Sequence, residues 1–299
     1  MPACKFCKAE NSCVKHGSKS GLQRWLCRSC HHKFYETSGS TMPRMRTPDH
    51  VVVAGMSLYY DGLSSYKVAK QLGEIFGETV SHKSILNWIS RLTKMILPYV
   101  EEVLEQQLKL SGKIHHDETE FRVGGEGRYF WQSLDQDSRY LVGHMLTESR
   151  TSEDAKKVFR QILEKQRPTA LFTDGSFAYD EAYRKVFWTR FKPSKVEWVR
   201  RVGIRARETN NIVERAHSTL KYRLHDTRNL KNDKSAKTWL DFYVIGYNYC
   251  RVHSSIKMTP AQAAGVQVKG WKQLIDNAQQ FRTKQEIETP GLVQEVRVK

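Results

Sequence analysis

The chain has 299 residues, with 49 Lys and Arg against 32 Asp and Glu, a formal net charge of +17. That length predicts a large core with one or two smaller modules, and the charge favours a polyanionic partner, nucleic acid before membrane. No apolar run approaches the roughly 18 residues of a membrane-spanning helix, and the polar start "MPACKFCKAE" is not a signal peptide, so a cytoplasmic, nucleoid-associated protein is expected.

The first part, residues 1–40, holds four of the six cysteines. Cys4 and Cys7 form one close pair, Cys27 and Cys30 another, with 19 residues between the pairs. In a reducing compartment this two-knuckle spacing favours Zn²⁺ ligation over disulfides, and so short a piece needs the metal to fold. A four-cysteine zinc ribbon is expected. Cys13, His16 or His31 as a substitute ligand is the alternative reading, with unliganded thiols as the bland one.

"SGST" and Pro43 mark a linker, after which residues 47–110 turn helical. Val52, Val53, Met56 and Tyr60 stripe one segment, and Val68, Ala69 and Leu72 the next. Beyond Gly77, Ser81 is a plausible N-cap for a helix whose apolar stripe is Ile85, Trp88, Ile89 and Leu92. Lys83, Ser84, Asn87 and Arg91 occupy its other face, which reads as the major-groove helix of a helix-turn-helix DNA-binding module. Any three-helix packing domain would show the same stripe. The helix is expected to continue as a connector, interrupted at Pro98.

From about Gly112 the composition changes. "KIHHDETEFRV" has strand composition, and "YFWQSLDQDSRYLVGHML" reads as two strands around a turn. "SEDAKKVFRQILEK" is an amphipathic helix, followed by strand, helix, strand and helix through "PTALFTDGS", "FAYDEAYRKVF", "KVEWVRRV" and "NNIVERAHSTLKYRL". Three leading strands and then alternation predict an α/β fold, a mixed sheet with helices on both faces.

Three acids sit where such a sheet can bring them together: Asp117 inside the first strand, Asp174 at the end of the fourth, and Glu214 on the last of these helices. Each has a plainer reading, as a solvent-facing strand residue, a turn residue and a capping-box partner of Asn211 respectively. Jointly, three converging carboxylates would repel unless a cation neutralised them, and oxygen ligands select Mg²⁺ or Mn²⁺, with two ions suiting phosphodiester chemistry. Lys221, two helical turns after Glu214, is placed to hold a phosphate.

At "HHDETEF", "LFTDGSFAY", "NNIVERAHSTLKYR" and "YNYCRVHSSIKMTPAQAAGV" the sequence resembles the insertion-sequence transposases that carry a DDE triad on a ribonuclease-H-like, retroviral-integrase-like core. The resemblance spans roughly residues 113–266 within a catalytic domain expected at 111–266. It implies that Asp117, Asp174 and Glu214 are the metal-binding triad and Lys221 the basic residue following it. It further implies cleavage at the element's ends to leave a 3′-hydroxyl, which then joins target DNA by strand transfer. Two ends must be joined, so a homodimer or larger synaptic assembly is expected. A DNA-binding regulator without catalysis, or a domesticated transposase, is the competing class; it leaves the three acids unexplained.

Between Arg184 and Lys234 lie 15 Lys or Arg against 5 Asp or Glu, so most of the positive charge is local. Arg200, Arg201 and Arg215 are expected to meet DNA there, with Arg190, Lys192 and Lys195. Trp188, Phe191 and Trp198 are interleaved with them and read more readily as core than as a stacking surface. His115, His116 and His253 are expected to be structural. In the tail, residues 267–299, Trp271, Leu274, Ile275 and Ala278 predict one more helix.

Overall fold

The computed structural model describes residues 1–4, 6–19, 22–35, 42, 45–190, 195–201, 211–225 and 230–288. Phe191, Lys192 and the side chain of Arg201 lie outside that set.

At the N-terminus, β1 (Cys13–Lys19), β2 (Leu22–Cys27) and β3 (Lys33–Tyr35) form a small antiparallel sheet. Its core is tiny: Trp25 and Phe34 packed with Cys4, Cys13 and Cys27. Helices α1 (Asp49–Tyr60), α2 (Ser65–Phe76) and α3 (His82–Tyr99) follow. The Ser64 and Ser81 hydroxyls accept the backbone N–H of Lys67 and Ser84, at 3.3 and 3.1 Å, which starts α2 and α3 where side-chain caps allow. Gly77 ends α2 at φ 69°, a left-handed conformation that favours glycine.

Pro98 does not interrupt α3, as the sequence suggested. The helix runs through it and widens into a π-helical turn over Val100–Leu104, consistent with a ring that removes one N–H and crowds the preceding carbonyl.

The central sheet contains β4 (Lys113–Val123), β5 (Glu126–Asp135), β6 (Leu141–Thr147), β7 (Ala170–Asp174) and β8 (Glu197–Arg201). Its order is β6-β5-β4-β7-β8. The first three strands pair antiparallel, whereas β7 runs parallel to β4 and β8 parallel to β7. This is the mixed sheet expected, in the strand order of a ribonuclease-H-like core. Around it are α4 (Ser152–Lys165), α5 (Ala178–Val186), α6 (Asn211–His225) and α7 (Asp233–Ile245). A π-helical turn at Gly246–Cys250, the short α8 (Pro260–Ala263) and the long α9 (Gly270–Glu288) complete the chain. Trp271, Leu274, Ile275 and Ala278 of α9 are buried in the same hydrophobic core as α1, α3 and the sheet. Among the described residues, no helix is long and apolar enough to cross a membrane.

Candidate active site

The geometry begins with register. β4 and β7 pair for three residues, Lys113↔Ala170, Ile114↔Leu171 and His115↔Phe172, and the ladder then stops. Continued by two residues, the same register would set Asp117 level with Asp174 on neighbouring strands. His115 and Phe172 stack across the last paired position at 4.5 Å, and side chains two residues further share their face of the sheet. Two carboxylates therefore flank the opening where the strands part.

Asp117 is half-buried, and its Oδ1 accepts the backbone N–H of Glu118 at 3.0 Å. Burial, reinforced by the charge of Glu118 and more weakly of Asp174, pushes its carboxyl up to about 7. Asp174 closes a turn, since its Oδ1 accepts the Ser176 N–H at 2.9 Å, while its Oδ2 receives Arg150 Nη2 at 3.3 Å. The turn reading made from the sequence holds for this side chain.

Glu214 stands exposed in the first turn of α6. The next turn of that helix carries His217, whose Nδ1 is 4.0 Å from Asp117 Oδ2, so α6 lies across Asp117. Burial drives the His217 imidazole down to about 4, and the neighbouring Lys221 adds to the effect. The ring next to Asp117 is therefore neutral near pH 7.

Three partners were not foreseen. Glu118 points to the opposite face of β4, where it accepts the Tyr179 hydroxyl and pairs with Arg150 Nε. Its burial raises its carboxyl, with Arg150 and Tyr179 pulling the other way. Arg150, just before α4, thus bridges Glu118 and Asp174 and is the nearest thing the protein itself supplies to a neutralising cation. Adjacent acids on both faces of one strand were the available signal for Glu118; nothing in the spacing marked Arg150.

As a donor set, Asp117, Asp174 and Glu214 offer only hard carboxylate oxygens at an accessible strand end, which fits Mg²⁺ or Mn²⁺ rather than zinc. Among the described residues, however, only the four cysteines place three or more His, Cys, Asp or Glu ligand atoms within 4.8 Å of one another. Asp117 and Asp174 feel each other's charge, but the three acids are not closed into so tight a group.

The cysteine cluster is tight. Cys4 Sγ lies 3.5 Å from Cys30 Sγ, and Cys7 Sγ lies 3.7 Å from Cys27 Sγ. A tetrahedral ion with bonds of about 2.3 Å needs sulfur separations of about 3.8 Å. Backbone N–H groups of Phe6 and Cys7 reach Cys4 Sγ at 3.4 and 3.5 Å, as they would a thiolate. Backbone donors, that of Cys30 foremost, bring Cys27 down to about 6. Cys13 is buried beside the cluster, and desolvation raises its thiol, so it fits packing better than ligation. The residues fit zinc.

Of the residues expected to meet DNA, Lys83, Asn87 and Arg91 are exposed on α3, and Lys221 and Arg215 on α6. Ser84 is half-buried, its hydroxyl 3.0 Å from that of Ser81. Arg200 lies over the Trp198 ring at 5.0 Å and 3.6 Å from Asp180. Trp198 is packed against Tyr183 and donates to Thr173 Oγ1 at 3.0 Å, whereas Trp188 is exposed. His116 is fully buried against Trp131, Phe159 and Tyr179, and His253 contacts the hydroxyl of Ser255 at 3.0 Å.

Residues 111–253 match a family model described as a DDE domain. A relative in Methanocaldococcus jannaschii, an uncharacterized protein, is 28% identical over 207 residues, which is 67% of this chain and 86% of that one. Among solved structures, the HTLV-2 integrase catalytic core in complex with magnesium aligns at TM-score 0.40 and 15% identity, over 52% of this chain and 98% of that one. The BIV integrase catalytic core aligns at 0.37 and 18% identity, over 52% and 93%. A chain of the simian T-cell lymphotropic virus intasome complex aligns at 0.41 and 18% identity over 52% of this chain, and only 55% of that chain's length is spanned. Over residues 111–253 the chain is thus similar to DDE domains, on a mixed five-stranded sheet in the strand order of a ribonuclease-H-like core.

Proposed function

We propose that the protein is a transposase that cleaves the ends of a DNA element by metal-dependent phosphodiester hydrolysis and joins the freed 3′-hydroxyl to target DNA by strand transfer. The observation that carries this reading is the register of β4 and β7, which, extended two residues past its last pair, would level Asp117 with Asp174 where the strands separate. Asp174 closes its own turn and meets Arg150, but an acid inside a strand is disfavoured, and burial with its acidic neighbours raises Asp117, a cost that a bound cation would offset.

Asp117, Asp174 and Glu214 would hold Mg²⁺ or Mn²⁺. Once bound, such ions supply an activated oxygen nucleophile and neutralise charge at the scissile phosphate. The chain's own residues do the rest. His217, neutral beside Asp117, leaves that carboxylate's charge for the cation, and Arg150 ties the buried Glu118 to Asp174. Lys221 on α6 lies within reach of a phosphate bound beside Glu214. A zinc ribbon at 1–40, a helix-turn-helix module at 47–110 and the catalytic domain at 111–266 divide the labour, with α3 reading duplex DNA. Joining two ends calls for two or more copies of the chain.

The test is nicking of an element-end duplex with Mg²⁺, wild type against Asp174→Ala. Loss of activity by a factor of at least about 100 is expected for removing a group that acts only on the reacting phosphate. Equal activity in both proteins, or none in either, would favour a DNA-binding protein without catalysis. Pre-cut ends supplied to the wild type should yield joined product; their absence would leave a nuclease.

A further inference from the structure

A groove of about 940 Å³ separates the helical module from α7, and neither Asp117, Asp174 nor Glu214 lines it. Lys67, Lys94, Lys231 and Lys234 stand along it, and no carboxylate is among its described lining residues. The acid nearest in sequence, Asp233 in the first turn of α7, is engaged elsewhere, accepting Arg128 Nε at 2.9 Å. An acid-free lysine rim selects an anion.

The floor selects its kind. Tyr59 and Trp239 are buried beneath the groove. At the mouth, Tyr66 is 67% exposed and lies flat on His82, ring centroids 4.1 Å apart at 16°. An exposed ring held flat by a second ring is a prepared stacking surface. One wall is fixed by the β4–β5 hairpin: Gly124 donates to Leu230 O at 2.8 Å, and a β-carbon at Gly124, φ 61°, would come within 2.8 Å of Lys231 O.

We infer that this groove binds an unpaired DNA strand, with bases on Tyr66 and the aromatic floor and phosphates on Lys94, Lys231 and Lys234. Paired bases inside a duplex cannot reach an aromatic floor, whereas every unpaired base has a face to stack and a phosphate to neutralise. The volume lies near the top of the range of small-ligand clefts, about 300–1,000 Å³, and accepts a nucleotide with part of its neighbours. Because α3 carries both Lys94 of the groove and Lys83, Asn87 and Arg91, a strand peeled from the bound duplex would have a short path into it. The inference rests on the DNA-processing reading above.

The test uses the full-length, zinc-loaded protein with Mg²⁺ omitted, so that binding is read apart from cleavage. Fluorescence anisotropy would compare a labelled 15-mer of thymidine with a blunt duplex, for wild type, Tyr66→Ala, Tyr66→Phe and the double variant Lys231→Glu/Lys234→Glu. Tyr66→Ala and the double variant should each weaken the single strand about tenfold or more while duplex affinity stays within about threefold, and Tyr66→Phe should behave as wild type. Equal losses on both DNA forms, or no loss on either, would overturn the assignment. So would displacement of the 15-mer by polyglutamate at equal charge, which would assign the groove to an acidic polypeptide. Wild type that binds duplex but not single strand sinks the groove alone; wild type that binds neither sinks the transposase reading too.

Discussion

Asp174 shows how one carboxylate can shape a turn and still pair with a cation: one oxygen takes the Ser176 N–H and the other faces Arg150. Its neighbour Asp117 titrates unusually high, so its contribution to stability is present at low pH and is lost as pH rises through about 7. Buried His116 works with the opposite sign. Its Nδ1 is 2.7 Å from Ser133 Oγ, and burial drives its pKa down to about 3, so below about 6.5 the unfolded chain binds a proton that the native ring refuses. Its contribution is therefore present above that pH and fades as pH falls toward 3. Comparing His116→Asn with wild type cancels the Asp117 effect. The stability gap between them, from urea melts, should narrow by about 1.4 kcal/mol per pH unit below pH 6.5. A gap independent of pH would show that the native imidazole takes up its proton normally.

At the scale of elements, the strands of the central sheet and the helices between them were legible because alternation and 3.6-residue stripes are local. The cap at Ser81 was legible for the same reason. Register was not: the levelling of Asp117 with Asp174 depends on how β7 slides along β4, which is set by packing between segments more than 50 residues apart. Glu118 went unnoticed because an acid beside Asp117 looks solvent-facing until both faces of β4 are known to be covered. The N-terminal sheet is the clearest case of an element with too little core, since among the described residues Trp25 and Phe34 are its only large buried side chains. Zinc chelation, or Cys4→Ser, should therefore unfold residues 1–35 and leave the rest intact. Limited proteolysis would read this as rapid loss of the N-terminal fragment with an unchanged remainder. Protection that persists without zinc would mean the sheet holds itself.

For the whole molecule, the decisive feature is that α1, α3, the central sheet and α9 share one hydrophobic core. Tyr60 of α1 is its crossing point, ringed by Phe242, Tyr243 and Trp271, with the Arg223 guanidinium 4.1 Å above its ring. Gly246 leaves the room: a β-carbon there would overlap the Tyr60 ring and come within 3.0 Å of Trp271. Gly246→Ala should cost about 1–3 kcal/mol by overpacking. A thermal melt should show one lowered transition covering helices and sheet together, and a variant melting like wild type would contradict the packing. The use of α9 was hidden in the sequence because its partners, α1 and α3, lie some 200 residues upstream. That shared seam has a consequence for anyone grafting a new recognition module onto this scaffold. A splice at residue 110 would bare Tyr60 on one half and leave Phe242, Tyr243 and α9 without their mates on the other, so a grafted module must keep α1, α3 and α9 together.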